Sequence, residues 1–519
     1  MATDAGTVGA GRAAPGGDGV IRSLVPARLD RLHWSGFHTK LVVALGVAWV
    51  LDGLEITIAS NVEPLMSKPQ ALNLSSSEVA FAVGTVYLLG EVAGALFFGW
   101  LSDRLGRRNL FMVTLGVYLF GGLMSGLTWG HTSFWVYWVW ASRFIAGMGI
   151  GGEYAAINSA IDELIPAKYR GRVDIAVNGT YWGGAFLATI LTLAVVDNLP
   201  VSYSWRIGFL CGPALGVVIL FVRKNLPESP RWLVMHGRLD EAEAAVKEIE
   251  DATRATGGRL DDVDQSKAIE IREATDIGFV ALARTLFAHY PKRAILGATL
   301  MITQSFLYNA IFFTYSLVLT EVYGVPSGDV PYYFMFFALG NLIGPLVLGH
   351  LFDVVGRRVM IAGTYLLSGV LLLISAVLFN AGVLDGVSQT VCWCVIFFFA
   401  SSGASAAYLT VSEIFPVEVR AKAIAVFFAI AQSFGAFGPW LYGELIGNGQ
   451  DHFKLFIGYL IGAGVMMVGG TVEAFLGVNA EQKSLEDIAL PLSALKAGPS
   501  PHLSNVTGAP RPPAARTVP

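Results

Sequence analysis

Twelve apolar runs, each about as long as a bilayer is thick, alternate with short polar segments along this chain. Because about 20 apolar residues in a helix cross the hydrocarbon core, the pattern predicts twelve membrane spans. We number these predicted spans one to twelve in chain order. They lie at about 41–63, 79–101, 110–129, 134–158, 174–196, 205–223, 294–320, 331–352, 359–381, 389–411, 421–444 and 454–477.

The amino-acid composition is typical of a protein that is embedded in a lipid bilayer. The chain has 519 residues, of which 54% are hydrophobic and only 14% charged, whereas soluble domains carry about 25% charged residues. The net charge of −4 is too small to suggest a nucleic-acid partner. The three cysteines lie inside apolar runs, and the sequence indicates no metal site, cofactor or catalytic pair.

The longest polar insert lies between spans six and seven and divides the chain into two halves. We expect a disordered cytoplasmic tail over 1–38, a six-helix bundle over 39–224, a cytoplasmic helical linker over 225–292, a second six-helix bundle over 293–480 and a cytoplasmic tail over 481–519. Within the linker, residues 239–252 repeat apolar side chains at helical spacing, which predicts an amphipathic helix.

Basic residues in the loops predict the orientation. The loops after spans two, four, eight and ten are rich in Lys and Arg, whereas those after spans three, five, seven and nine have none. By the positive-inside rule, both termini and the linker are predicted to be cytoplasmic in a plasma (inner) membrane protein.

Two motifs recur with the same offset. Segment 99–108, Gly-Trp-Leu-Ser-Asp-Arg-Leu-Gly-Arg-Arg, returns at 349–358, and segment 163–170 returns at 413–420. Two motifs that share one offset and one spacing indicate a duplicated six-helix unit. Parallel repeats of this kind place a substrate site between the halves, near the membrane midplane.

These motifs resemble those of the major facilitator superfamily, in its branch of sugar porters and metabolite:proton symporters. Pro-Glu-Ser-Pro-Arg at 227–231 and Glu-Gln-Lys-Ser-Leu-Glu at 481–486 also resemble that branch. The resemblance implies an all-α fold of two pseudo-twofold-related six-helix bundles that work by alternating access. It also implies a cytoplasmic gate formed by Gly99, Asp103, Arg104, Gly106, Arg107, Arg108, Glu163, Arg170, Glu228, Arg231, Asp353, Arg357, Arg358, Glu413 and Arg420. Asp103 is expected to cap the next helix or to pair with an Arg of the other bundle.

The resemblance also implies substrate-binding residues, with departures from the sugar-porter pattern. Gln304 and Asn309 have the spacing of a sugar-binding pair, and Asn178 stands where sugar porters have Gln. Tyr308 and Tyr408 complete the expected site, but the segment ending at Tyr408 lacks the usual Pro and Trp. An organic acid is therefore at least as well supported a substrate as a sugar.

Ionisable residues inside predicted spans each cost about 2.5–3.5 kcal/mol on insertion scales, and four of them are candidates for proton coupling. Glu55 in span one and Arg143 in span four lie at matching depths, which predicts an acid–guanidinium pair. Proton coupling through Glu55 is one interpretation, and a permanent structural ion pair is the other. Asp52 either shares the proton or faces the cytoplasmic vestibule. Glu91 either contacts Arg143 or the substrate, or bonds to a neighbouring helix.

Taken together, the sequence predicts a monomeric, proton-coupled importer of a small polar metabolite such as an organic acid or a sugar. Its partners are that substrate, protons and the lipid bilayer, with no nucleic acid. A proton-coupled efflux antiporter and a non-transporting solute sensor are the alternatives. An enzyme is not expected, because the chain lacks a nucleophile–base pair and a metal cluster.

Overall fold

A computed structural model gives the three-dimensional structure of most of the chain. It describes residues 14–16, 20–66, 68–73, 81–130, 132–194, 198–223, 228–256, 260–264, 268–272, 278–326, 329–416, 419–446 and 451–489.

Long helices dominate the first half of the structure. In chain order the helices are α1 Val25–Asp30, α2 Gly36–Met66, the π-helical α3 Phe81–Val86, α4 Tyr87–Gly126, α5 Ser133–Leu164, α6 Ala167–Ala194 and α7 Val201–Arg223. α4 holds spans two and three in one element that is kinked at Gly106, whose φ is 79°.

The linker and the second half are also mainly helical. Their helices are α8 Pro230–Met235, α9 Leu239–Ala255, α10 Phe279–His289, α11 Pro291–Leu317 with a π-helical extension Val318–Val322, α12 Val330–Val354, α13 Arg357–Asn380, α14 Gly386–Glu413, α15 Arg420–Gly435, α16 Phe437–Ile446, α17 His452–Leu476 and α18 Leu485–Ile488. The amphipathic helix predicted for the linker is confirmed by α9.

Eight helical segments among the described residues are long and apolar enough to cross a membrane. They are Gly36–Val62, Gly84–Leu101, Arg108–Gly126, Pro291–Ser316, Val330–Val354, Arg357–Asn380, Gly386–Glu413 and His452–Leu476. The remaining predicted spans correspond to α5, α6, α7 and the pair α15–α16.

Helices α2 and α4 to α7 pack together as one bundle, and α11 to α17 as a second. The bundles meet mainly where α6 lies against α12 and where α4 lies against α15. Within the first bundle, a Cβ at Gly94 would lie 2.0 Å from the Met148 carbonyl oxygen. Small residues therefore let the backbones of α4 and α5 touch, as is common in membrane helix packing.

The N-terminal region differs from the disordered tail predicted over 1–38. Its described part forms β1 Ala14–Gly16, β2 Val20–Ser23 and α1. β2 pairs antiparallel with both β1 and β3 Ile269–Arg272 of the linker. The composition of the tail suggested disorder, but its partner strand lies some 250 residues away and is not visible in a local pattern.

Candidate functional site

A cavity of about 120 Å³ lies between the two bundles. Its first-bundle wall consists of Trp49, Ile56, Tyr87, Leu88, Glu91, Tyr154, Asn178, Tyr181 and Trp182. Its second-bundle wall consists of Gln304, Ser305, Tyr308, Asn309, Phe312, Phe313, Ser401, Ala404, Ser405, Tyr408 and Gln432. The cavity thus lies where the duplicated halves face each other, as the repeat predicts.

The polar centre of the cavity is a hydrogen-bond network around Gln432 of α15. Ser305 donates to Gln432 Oε1 at 2.5 Å, and Asn309 donates to the same oxygen at 3.3 Å. These two donors fix the orientation of the amide, because an oxygen and not an NH₂ group must accept from them. Gln432 Nε2 therefore points at Glu91 Oε2 of α4 and donates to it. This bond joins the two bundles at the cavity.

The five residues predicted to bind substrate all line this cavity. Gln304 donates to the Tyr408 hydroxyl at 3.3 Å, and Tyr308 donates to Asn341 Oδ1 at 2.9 Å. Asn178 donates to the Asp174 carbonyl oxygen of its own helix at 2.9 Å. The structure brings these residues together; their role in binding stays a prediction.

Aromatic side chains form much of the remaining wall. The Trp182 ring lies 5.7 Å from Tyr308 and 6.0 Å from Phe312 across the bundle interface. Tyr154 lies 5.7 Å from Tyr408, also across the interface, and 4.4 Å from Trp49. These distances are typical of aromatic packing.

Sequence reasoning missed Gln432, Trp182 and Tyr154. None of the three belongs to a motif that resembles a known binding site, although Trp182 lies in the same span as Asn178. A polar or aromatic residue in a span is as often a packing residue, so only the contacts across the interface identify these side chains.

The predicted pair of Glu55 and Arg143 is present inside the first bundle. Arg143 Nη1 lies 3.7 Å from Glu55 Oε1, and each side chain is only 1% exposed. The guanidinium carbon lies 4.5 Å from the centre of the Tyr87 ring, which itself lines the cavity. Tyr118 lies beside the Glu55 carboxylate. The cation–aromatic contact and the ion pair both stabilise the Arg143 guanidinium in this buried position.

Glycines make room for the Glu55 carboxylate. A Cβ at Gly212 of α7 would lie 2.4 Å from Glu55 Oε2, and one at Gly122 of α4 would lie 3.3 Å from Oε1. The carboxylate therefore packs against two helices, α4 and α7, and among the described residues its ion-pair partner is Arg143.

The other two predicted ionisable residues are also buried. Asp52 is 1% exposed, so it does not face an open vestibule in this conformation. Glu91 is 2% exposed, and its contact with Gln432 realises the expected bond to a neighbouring helix, here one of the opposite bundle.

The ends of the bundles that carry the two charged motifs meet in ion pairs. We call this end the charged rim and define it by Arg170, Asp353, Arg357 and Glu413. Arg357 Nε lies 3.0 Å from Glu413 and its Nη1 lies 2.6 Å from Asp353. Arg170 of the first bundle reaches Glu413 of the second at 3.6 Å, and the Arg172 backbone N–H donates to Asp353 at 2.9 Å. The charged rim is therefore closed.

Comparison with known proteins identifies the family of this chain. Residues 42–490 match the model of the family described as "Sugar (and other) transporter". The chain belongs to this family. It is 26% identical over 467 residues to the niacin transporter NiaP of Acinetobacter baylyi, covering 89% of this chain and 99% of that protein. It is also 26% identical over 530 residues to the probable inorganic phosphate transporter 1-3 of Arabidopsis thaliana, covering 91% and 98%.

The fold is that of solved major facilitator proteins. The proton:xylose symporter XylE, bound to 6-bromo-6-deoxy-D-glucose, superposes with a TM-score of 0.71 at 20% identity, covering 87% of this chain and 98% of that one. This member of the sugar transporter family is accordingly a multi-pass, two-bundle membrane transporter and not an enzyme.

Two family motifs cap helices at the charged rim. Glu228, from the segment after span six, accepts a hydrogen bond from the Arg108 backbone N–H at 3.3 Å, beside Gly106. Glu481, from the segment after span twelve, accepts one from the Arg357 backbone N–H at 3.5 Å, beside Gly356. Gly106 and Gly356 both have positive φ, at 79° and 115°, a conformation that favours glycine. Each glutamate thus stabilises the start of a span, where the helix dipole favours a negative charge.

The other predicted gate residues are distributed around the same end. Arg231 donates to Asp30 at 3.1 Å, Arg358 to the Ala474 carbonyl oxygen at 2.9 Å and Arg420 to the Phe415 carbonyl oxygen at 3.3 Å. The Arg104 guanidinium lies 4.2 Å from the centre of the Trp100 ring, next to Gly99 in α4, and Glu163 is buried near the end of α5. The side chains of Asp103 and Arg107 lie outside the described residues, so the pairing expected of Asp103 stays a prediction.

Proposed function

We propose that this transporter is a proton-coupled importer, a symporter, of a small polar metabolite. It works in the plasma membrane with both termini and the linker in the cytoplasm, and as a monomer. The single observation that carries the proposal is the buried Glu55–Arg143 pair inside the first bundle.

Protonation of Glu55 changes the balance of charge in a place that water does not reach. With Glu55 ionised, the carboxylate and the guanidinium stabilise each other. A proton on Glu55 leaves Arg143 as a buried charge without its counter-ion, which is unfavourable by several kcal/mol unless the packing changes. Tyr87 contacts Arg143 and also lines the cavity, so it is the physical link between the proton site and the substrate site.

The closed charged rim supports alternating access. The basic loops indicate that this rim is cytoplasmic, so the structure is closed on that side. Opening toward the cytoplasm requires Arg170 to leave Glu413 and Asp353 to release the Arg172 backbone. The xylose symporter of similar fold is named as proton-coupled, which agrees with this assignment.

The proposed metabolite belongs to a broad chemical class. Relatives are named for niacin and for phosphate, and the sequence suggests an organic acid or a sugar. A small, polar metabolite is common to all of these.

Uptake into proteoliposomes tests the proposal. The full chain is reconstituted with an inward proton gradient, and accumulation of labelled D-glucose, benzoate and benzamide is measured. Accumulation of at least one probe, abolished by Glu55→Gln, is the expected result. Exchange of that probe across the membrane without a gradient should persist in Glu55→Gln, because exchange does not need net proton movement.

A matched control uses Glu473→Gln, which removes a buried carboxyl of α17 outside the cavity wall. We expect this variant to accumulate the probe as the unmodified protein does. Equal accumulation by Glu55→Gln would exclude Glu55 as the coupling site. Accumulation only when the gradient is reversed would identify an antiporter, and binding without movement would identify a sensor.

A further inference from the structure

The cavity between the bundles has an unusual balance of charge. Glu91 is its one acidic side chain, and no Lys, Arg or His occurs among the described residues that line it. The guanidinium of Arg143 lies behind the Tyr87 ring and is already paired with Glu55. A carboxylate or phosphate in the cavity would therefore lie near Glu91 without a cation of its own. A buried, uncompensated anion is strongly unfavourable.

The walls favour a flat ring. Trp182, Tyr308 and Phe312 form one aromatic cluster across the interface, and Tyr154 with Tyr408 forms a second. Ring faces bind other rings by offset stacking and bind cations through the negative face of the π system. A saturated sugar gains less from so many ring faces than a planar aromatic ligand does.

The polar centre is arranged to accept hydrogen bonds. Ser305 and Asn309 hold the Gln432 amide so that its Nε2 donates to one oxygen of Glu91. Glu91 is thereby held as a hydrogen-bond acceptor in the cavity wall. A ligand nitrogen that carries hydrogen atoms is the complementary group.

We propose that the cavity binds a planar aromatic compound that carries a neutral or cationic nitrogen group, whose N–H donates to Glu91, and that it excludes organic anions. Glu91 is then the residue that determines specificity, and Gln432 positions it. This inference rests on the proposed function, because it assigns the transport site to this cavity. It replaces the organic acids and sugars that the sequence suggested with a narrower class of substrate, planar aromatic compounds that carry a nitrogen group.

Four probes that differ in one property each test the proposal. Benzamidinium, benzamide and benzoate share a ring but carry a positive, a zero and a negative charge. Cyclohexanecarboxamide keeps the amide but lacks the aromatic ring. Binding to the purified full chain in lipid nanodiscs is measured by titration calorimetry at pH 7. The expected order of affinity is benzamidinium, then benzamide, then cyclohexanecarboxamide, with benzoate weakest.

Variants then assign the contacts. Glu91→Gln should weaken benzamidinium binding about tenfold, the difference between a charge-assisted and a neutral hydrogen bond, while benzamide changes by less than about twofold. Retained benzamide binding also shows that the variant is folded. Trp182→Leu should weaken benzamide about tenfold and leave cyclohexanecarboxamide unchanged. Glu473→Gln is the control and should alter none of the four affinities.

Three outcomes would overturn the inference: benzoate binding as tightly as benzamide, an unchanged preference for benzamidinium in Glu91→Gln, or no binding of any probe by the folded protein. These outcomes are separate from the failure of the proposed function. Binding of benzamide without proton-driven uptake contradicts the symporter and leaves the binding class intact. Proton-driven uptake of glucose or benzoate by a protein that does not bind benzamide contradicts only the binding class.

Discussion

The two bundles carry the same repeated motifs, yet they differ in the charge that they bury around the cavity. The first bundle buries Asp52, Glu55, Glu91 and Arg143 within its spans. The wall that the second bundle contributes to the cavity is uncharged and consists of amide, hydroxyl, aromatic and alanine side chains. The charged motifs at the rim, by contrast, are kept in both halves, including the glutamate that caps a helix beside Gly106 or Gly356.

Under the proposed function, this difference separates two tasks, proton uptake and ligand binding. An ionisable group that takes up a proton needs a counter-ion and a dry environment, whereas a ligand needs neutral groups that exchange partners with water at little cost. Because the ionisable groups lie in one bundle and most of the neutral groups lie in the other, each set of residues can change without the other. Glu91 and Gln432 are the contact between them, since their hydrogen bond crosses the interface.

Removing Arg143, the counter-ion of Glu55 in the first bundle, should have the largest effect. Arg143→Met leaves Glu55 as a buried carboxylate without its partner, a change that costs about 3–5 kcal/mol in comparable cases. We expect a lower unfolding temperature in detergent and no proton-driven accumulation. The double variant Arg143→Met with Glu55→Gln should recover most of the stability but not the accumulation. Recovery of both would show that the pair is purely structural.

A steric clash at the charged rim, where both halves meet, should have the next largest effect. A Cβ at Gly171 would lie 1.9 Å from Arg357 Nη1 and 2.3 Å from Asp353 Oδ1. Gly171→Ala should therefore disfavour the closed rim by about 1–3 kcal/mol, as overpacking does elsewhere. Spin labels at positions 168 and 350, in a background without the native cysteines, should report a longer distance. At Gly363 a Cβ meets nothing within 4 Å, so Gly363→Ala is the control, and a change there of equal size would contradict the steric argument.

Breaking the hydrogen bond between Gln432 and Glu91 should have a smaller effect. Gln432→Leu removes the donor that holds Glu91 and should weaken benzamidinium binding about tenfold, the usual effect of losing a hydrogen bond to a charged group. Ser433→Ala is the neighbouring control, because Ser433 bonds only to the Ala429 carbonyl oxygen of its own helix in the described structure. Equal affinities for the two variants would mean that Gln432 does not position Glu91.

The smallest effect concerns contacts outside the membrane. Arg28 and Arg31 of the N-terminal region bond to Glu250 of α9 at 2.9 Å and 2.6 Å, and these contacts attach α9 to the N-terminal region. Burial alone would raise the pKa of Glu250, but the hydrogen bonds from the two arginines lower it. A lowered pKa stabilises the folded state above the unfolded value of about 4.3 and loses that contribution as pH falls through the folded pKa.

Glu250→Gln should therefore lower the stability at pH 7 by about 1 kcal/mol or less, as expected for a partly exposed pair. The gap between the two proteins should persist down to about pH 4 and close only as the pH falls further, through the lowered pKa of Glu250. Unfolding temperatures measured from pH 7 to about pH 3 test this. Glu248→Gln, on the exposed side of α9, should show no such gap, and a gap that widens on acidification would contradict the sign.

Much of the candidate site could be predicted from the sequence. Gln304, Asn309 and Asn178 came from a resemblance in spacing, and each lines the cavity. Glu55 and Arg143 came from the cost of burying charge, which makes an ionisable residue in a span informative by itself. Gln432 and Trp182 could not be predicted, because a single amide or aromatic ring in a span has no comparable cost and is common in helix packing.

The sequence by itself determined the twelve spans, the duplication and the presence of a buried acid and base, because hydropathy, repeat spacing and the cost of buried charge are local properties of a chain. Only the tertiary structure decided which groups meet across the two halves. It paired Glu91 with Gln432, left the cavity wall without a cation among the described residues, and attached the N-terminal strands to the linker. Those contacts join residues that are hundreds of positions apart, and their distances follow from how the helices pack and not from the order of the residues.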